Sequence, residues 1–173
     1  MAVSNSSMIG VDFNNPSSTA LFGLGTETLG TQASEWTYCI ATGTLSTGTI
    51  VSIFSAGTAY ALTTALINGG DALLTTGQLN LGAVQTLVPQ GQYAWVARKG
   101  ISLYVACTGT CTAGAEYALS ANTLGGVIQN APAAGVGVTM RGIFLTTSAS
   151  TATLSVAVGT LQYPRPIAST PGA

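Results

Sequence analysis

An all-β fold, a compact antiparallel β-sandwich or barrel with an extended N-terminal arm, is what three observations predict. Apolar and polar residues alternate with period two in one short run after another, the pattern of half-buried strands. The runs recur at ~8–12-residue spacing with Gly-rich turns between them, as in sandwiches and barrels. The abundance of Thr, Val and Gly works against helices.

Residues 1–33 read as the arm. Asn14-Asn15-Pro16-Ser17-Ser18 is a turn cluster, and Gly23, Gly25 and Gly30 punctuate the rest of the arm. Small apolar clusters such as Met8-Ile9 and Leu21-Phe22 suit an arm lying on another surface, and a chain of this length reaches ~100 Å when fully extended. Residues 34–166 form the β-domain. Trp36, Tyr38 and Ile40 alternate with Thr37, Cys39 and Ala41 in its first strand. Thr49–Phe54 comes after the turn between Gly43 and Gly48, and Thr58–Thr64 after Ala56-Gly57. A weak helical signal covers Thr63–Ile67, and Asn68-Gly69-Gly70-Asp71 is a loop before a strand at Leu79–Leu87.

The longest alternating stretch is Gln92–Thr112. Tyr93, Trp95 and Ala97 share one face, Ala94, Val96 and Arg98 the other; Ile101, Leu103 and Val105 resume the alternation. Lys99-Gly100 is either a turn between two strands or a glycine bulge within one. Tyr93, Trp95, Ile101, Leu103 and Val105 are expected in the core or a subunit seam. Strands then come at Glu116–Leu119, Gly126–Gln129, Met140–Thr146 and Thr153–Leu161, with a turn at 148–151. Tyr163-Pro164-Arg165-Pro166 ends the last strand, and residues 167–173 form a flexible tail.

Charged residues make up 5% of the chain, against about 25% in ordinary soluble domains. A free monomer keeps a charged, mixed-sign surface, so this deficit points to a subunit of an assembly. A net charge of −1, with Arg98, Lys99, Arg141 and Arg165 as the basic residues, excludes the electrostatic footprint of a nucleic-acid binder. It equally excludes polybasic attraction to a membrane. The N-terminal MAVSNSSMIGV lacks the basic and apolar regions of a signal peptide. The charge-free run from Trp36 to Gly70 is broken throughout by polar residues and does not read as a membrane span. The expectation is a product made in the cytoplasm.

Histidine is absent, which excludes Ser-His-Asp and Cys-His catalysis in their usual forms and histidine metal sites. Asp12, Glu27, Glu35, Asp71 and Glu116 are scattered singly, whereas glycoside hydrolysis needs two carboxylates at a set separation. They read as turn, edge or interface charges. Cys107 and Cys111 have a spacing compatible with a bridge across a tight turn, or with two buried thiols in a reducing compartment. No further ligands complete a thiolate metal site, and Cys39 reads as packing. Tyr93 and Trp95 are candidates for a sugar platform, with core or subunit contact the better match to their alternation. Arg98 and Lys99 are expected in a turn or rim salt bridge, including one to a neighbouring chain. No catalytic, cofactor-binding or metal residue is assigned, no cofactor is expected, and the chain does not read as an enzyme.

Leu24-Gly25-Thr26, the run Trp36–Ile53, Leu62–Leu66, Gly91–Gly100 and the closing Leu145–Thr147 through Leu161–Pro166 together resemble the head decoration, or cement, proteins of tailed bacteriophages. The resemblance spans residues 24–166 and lies in order and composition. It implies a compact β-domain on the exterior of the virion capsid that bridges capsomers and stabilises the shell. Its partners would be the major capsid protein and copies of itself, as a trimer in preference to a dimer. It brings no catalytic or ligand-binding residues. A charge-poor surface suits the role, because ion pairs weaken with ionic strength whereas apolar and backbone contacts repeated over a symmetric shell do not. On this reading the arm at 1–33 and the loops at Asn68–Gly77 touch the shell. The rival readings are a head-fibre or tail domain binding host glycans or receptors, a glycan-degrading virion enzyme using Glu35 or Glu116, and a major shell protein.

Overall fold

Among the described residues the alternating runs become ten strands of one continuous sheet. The computed structural model describes residues 11–54, 56–61, 80–119, 126–130 and 139–167. In chain order the strands are β1 (Glu27–Leu29), β2 (Glu35–Ala41), β3 (Ile50–Ile53), β4 (Thr58–Ala61), β5 (Asn80–Val84), β6 (Tyr93–Cys111), β7 (Tyr117–Leu119), β8 (Ile128–Asn130), β9 (Thr139–Leu145) and β10 (Ala149–Ile167). The sole helical element among the described residues is a 3-10 turn at Thr31–Ala33. The fold is all-β.

Strands β2, β4, β3, β5 and β6 pair in that order, and β6 returns to β2, closing a five-stranded barrel. Each strand sends small or β-branched residues to one buried cluster: Cys39 and Ala41, Val51 and Ile53, Ala59, Val84, Ala94 and Val96. Because all the barrel strands contribute, this cluster is the barrel interior, and its small side chains fit a narrow bore. The opposite faces carry the large residues. Trp36, Tyr38, Ile50, Leu81 and Trp95 belong to a second cluster that continues into Leu103, Tyr117, Ile128, Met140 and Leu161. Both faces of the first half of β6 are therefore buried, which explains why its alternation is of large with small rather than apolar with polar.

β6 joins the two cores. It is one strand of 19 residues, so Lys99-Gly100 is the bulge of the two alternatives. Gly100 has φ +149, and the pairing with β10 shifts between Gly159↔Leu103 and Leu161↔Gly100. Lys99 pairs with Glu35 of β2 on one edge and Gln162 of β10 on the other. Beyond it β6 pairs with β10, β10 with β9, β9 with β7 and β7 with β8. A parallel pairing, Cys107↔Ile128, returns β8 to β6 and closes a second ring. The rings are stitched by backbone: Ala106 N–H donates to Gly48 O at 2.8 Å and Ile50 N–H to Gly126 O at 2.7 Å. Gln85 does similar work with its side chain, accepting from Tyr104 N at 2.7 Å and donating to Tyr104 O at 3.2 Å.

Several expectations change. Residues 11–33 lie on a surface, but that surface is their own domain. Phe13 is 1% exposed and stacks on Trp36 with ring centroids 4.5 Å apart. Ser17 bridges to Tyr93, and β1 pairs with β2. Ile101, expected in the core or a subunit seam, is exposed and so outside the core, because the bulge turns it outward, while Leu103 and Val105 are buried as expected. β10 begins within the expected 148–151 turn and runs through the Tyr163–Pro166 segment to Ile167. The proline nitrogens, which cannot donate, are tolerated there beside a register shift between Leu161 and Arg165. The helix at Thr63–Ile67, the loop at Asn68–Gly77, residues 1–10 and residues 168–173 lie outside the described residues.

Candidate functional site

Where the two rings meet, the sheet gathers four of the chain's nine charged residues. Arg98 and Lys99 are neighbours on β6, so their side chains leave opposite faces or edges of the strand. Arg98 forms an ion pair with Glu27 of β1 and donates to Asn80 Oδ1 at 3.1 Å. Lys99 Nζ is 3.1 Å from Glu35 Oε1 on β2. The Tyr163 hydroxyl donates to Glu35 Oε2 at 2.5 Å, and its ring has the Arg98 guanidinium and the Lys99 ammonium each 5.6 Å from its centroid. Tyr163 reaches this place from β10 with φ 48, a left-handed backbone uncommon for a tyrosine. The expected salt bridges form within the chain.

The arrangement is a latch across β1, β2, β6 and β10. The hydrogen bond from Tyr163 holds the Glu35 carboxyl below its ordinary value of 4.5; Lys99 pushes the same way and burial opposes. The hydrogen bond to Glu35 raises both Lys99 and Tyr163. Stability from the lowered Glu35 is present above the ordinary carboxylate range and lost as pH falls through its folded value. Stability from the raised Lys99 and Tyr163 is present below their unfolded values and lost as pH rises through their folded ones. The latch therefore holds across neutral pH. Replacing Glu35 with Gln is expected to lower Tm by about 2–4 °C at pH 7. The difference should shrink as pH falls through the folded value of the Glu35 carboxyl and the wild-type group protonates. A deficit that keeps its size through that protonation would assign Glu35 to packing instead.

Glu27 and Glu35 both line a cleft of about 220 Å³ with Trp36 and Arg98. Spatial convergence of two carboxylates was not visible in the sequence, yet each is engaged by a cation, as an edge charge is expected to be. Asp12 organises a turn, accepting from Asn14 N at 2.9 Å and Asn15 Nδ2 at 2.5 Å. Asp71 lies outside the described residues. Trp95 is 4% exposed and packs against Phe22 and Tyr38, so it offers no face to a sugar. Cys39, Cys107 and Cys111 are free thiols and buried. Burial pushes Cys39 up to about 12; a hydrogen bond with Cys111 and burial raise Cys107. Neither is poised as a nucleophile. Among the described residues no group of three or more His, Cys, Asp or Glu gathers to hold a metal.

Two surfaces remain. The outer face of the second ring exposes Tyr104 of β6, Phe144 of β9, and Leu154 and Val156 of β10. The register places Tyr104 opposite Val158, Ala106 opposite Val156 and Phe144 opposite Thr160, so no charge interrupts the stripe along those pairs. Beside it a groove of about 630 Å³ runs along β7, β9 and the end of β10. Arg141 and Arg165, paired directly across β9 and β10, line it. Sequence reasoning missed Tyr163, the Glu27–Arg98 pair and this arginine pair. All depend on register between strands remote in sequence, and only the adjacency of Arg98 and Lys99 hinted at any of them. No family model matches this chain, and no curated protein matches it.

Proposed function

We propose that this chain is a structural virion protein that binds the exterior of a bacteriophage capsid, as a homo-oligomer, and stabilises it by bridging capsomers. The observation that carries the reading is the charge-free stripe of Tyr104, Phe144, Leu154 and Val156, exposed by 38–54%, on a chain with 5% charged residues. Contiguous exposed apolar surface of this kind marks contact with other protein. The two stitched rings supply a body stiff enough to transmit load between capsomers, since strand after strand has its backbone groups paired with a neighbour. In this role the protein needs neither substrate nor cofactor, and its chemistry is that of contact alone.

The test is reconstitution. Purified protein added to capsids lacking it should give density on the outer shell in electron cryomicroscopy, with occupancy changing less than about twofold between 0.1 and 1 M salt. The double substitution Phe144→Ser, Val156→Ser should lower occupancy at least about tenfold, because it removes apolar contact without touching the core. Density on a tail or fibre, ready stripping by salt, or unchanged occupancy of the variant would each count against the reading. Deleting residues 2–30 is unsuitable as a test of arm contact, because it removes Phe13 and the whole of β1; deletion of residues 2–10 leaves both in place.

A further inference from the structure

The chain carries four basic residues, and Arg98 and Lys99 are each matched with an acid. Among the described residues Arg141 and Arg165 are not. They sit directly opposite one another on β9 and β10, both exposed, and among the described residues neither has an ion-pair partner. Like charges at directly opposed positions on antiparallel strands, with Cβ atoms ~4.5–5.5 Å apart, destabilise the pair. A chain with so few charges has placed two of the same sign where they repel.

The surroundings indicate what resolves the repulsion. The two arginines line a groove of about 630 Å³ whose walls include Tyr117, Met140, Ile143 and Phe144, a size that suits a few residues of peptide. Glu116 lines the same groove, so the local balance is one net positive charge, which a single carboxylate neutralises and a phosphate dianion overshoots. Two guanidinium forks side by side match the two oxygens of one carboxylate, and the aromatic and aliphatic walls match uncharged residues flanking it.

We propose that Arg141 and Arg165 form a carboxylate-binding site, and that its occupant is an Asp or Glu side chain flanked by apolar residues on an extended segment of a protein partner. Phe144 belongs both to this groove and to the apolar stripe, so the carboxylate would set the register of a partner held mainly by apolar contact. That partner need not be a capsid.

The experiment uses the full chain with 15N-labelled arginine and three probes: acetyl-Val-Glu-Val-amide, acetyl-Val-Gln-Val-amide and inorganic phosphate. The Glu peptide is expected to shift the Nε–Hε resonances of Arg141 and Arg165 while leaving Arg98 in place, and to bind about tenfold more tightly than the Gln peptide. The double variant Arg141→Gln, Arg165→Gln should lose that preference with Tm unchanged or raised, since the repulsion is gone. Arg165→Lys, which keeps the charge and loses the fork, should weaken Glu-peptide binding. Equal binding of the two peptides, tighter binding of phosphate, a double variant that keeps the preference, or no shift up to about 10 mM Glu peptide would each overturn the proposal. Loss of shell attachment with peptide binding intact would count against the capsid reading alone.

Discussion

Truncating Phe13 to alanine is expected to lower the free energy of unfolding by about 3–5 kcal/mol. The side chain is 1% exposed and lies between Trp36, stacked at 4.5 Å, and Trp95, edge-on at 5.7 Å. Neither indole can collapse into the space left behind. Trp36 is held by its Nε1–H, which donates to Ser34 Oγ at 3.0 Å, and Trp95 is wedged against Phe22 and Tyr38. The removed ring therefore leaves a cavity as well as a lost transfer term. Phe13→Leu, which keeps most of the volume, should cost under about 2 kcal/mol. Urea denaturation monitored by tryptophan emission checks both, with the slope against urea unchanged. A loss under about 1 kcal/mol for Phe13→Ala would mean that the segment around Phe13 is not held on the domain.

That result bears on how far the fold is legible in the chain alone. The strands were legible because their signals are local: Trp36 against Thr37, Thr49–Phe54, and the long alternation from Tyr93 each state their own period. Phe13 was not, because Val11-Asp12-Phe13 has no period; its burial comes from the two indoles it meets, on strands that begin many residues later. The same limit left the choice between sandwich and barrel open. Closure depends on β6 returning to β2, from Tyr93 opposite Ile40 to Lys99 opposite Glu35, and nothing near any of these residues records the register. Ile101 was placed in the core or a subunit seam by its alternation, and the Gly100 bulge then turned it out of the core, so knowing that a bulge was one option did not fix which side chains it moved.

The candidate site was less legible than the fold. Gln92–Thr112 drew attention as the meeting place of basic residues, aromatics and cysteines, and it proves to be the shared strand of both rings. Its core aromatics and thiols are buried, and its two cations are matched within the chain. The surfaces left for a partner lie on β9 and β10 instead, where Phe144, Val156, Arg141 and Arg165 looked unremarkable one by one. A charge-poor composition led to the expectation of contact through apolar patches and backbone rather than ion pairs. It could not foretell that the two remaining arginines would be set face to face, since that too is a matter of register.

Gly48→Ala is expected to cost about 3–4 kcal/mol, although it adds a single methyl group. Two effects combine there. Gly48 has φ +81, a conformation that costs an alanine roughly 1–2 kcal/mol. A Cβ at this position would also fall 2.5 Å from Ala106 N and 2.8 Å from Val105 C. Both are backbone atoms of β6, so no rotamer change relieves the contact. Relief requires separating Gly48 from Ala106 and breaking the 2.8 Å hydrogen bond that ties the second ring to the first. Two other glycines separate the contributions. Gly25 has φ +79 with nothing within 4 Å of its Cβ position, so Gly25→Ala should show the backbone cost alone, about 1–2 kcal/mol. Gly43 has open space and no positive φ, so Gly43→Ala should fall within about 0.5 kcal/mol of wild type or slightly stabilise. The ordering Gly48, Gly25, Gly43 in denaturant midpoints is the decisive measurement. If Gly48→Ala matched Gly25→Ala, the stitch between the rings would be loose enough to absorb a methyl group. The second ring would then be a separately mobile unit, unsuited to carrying load between neighbouring subunits.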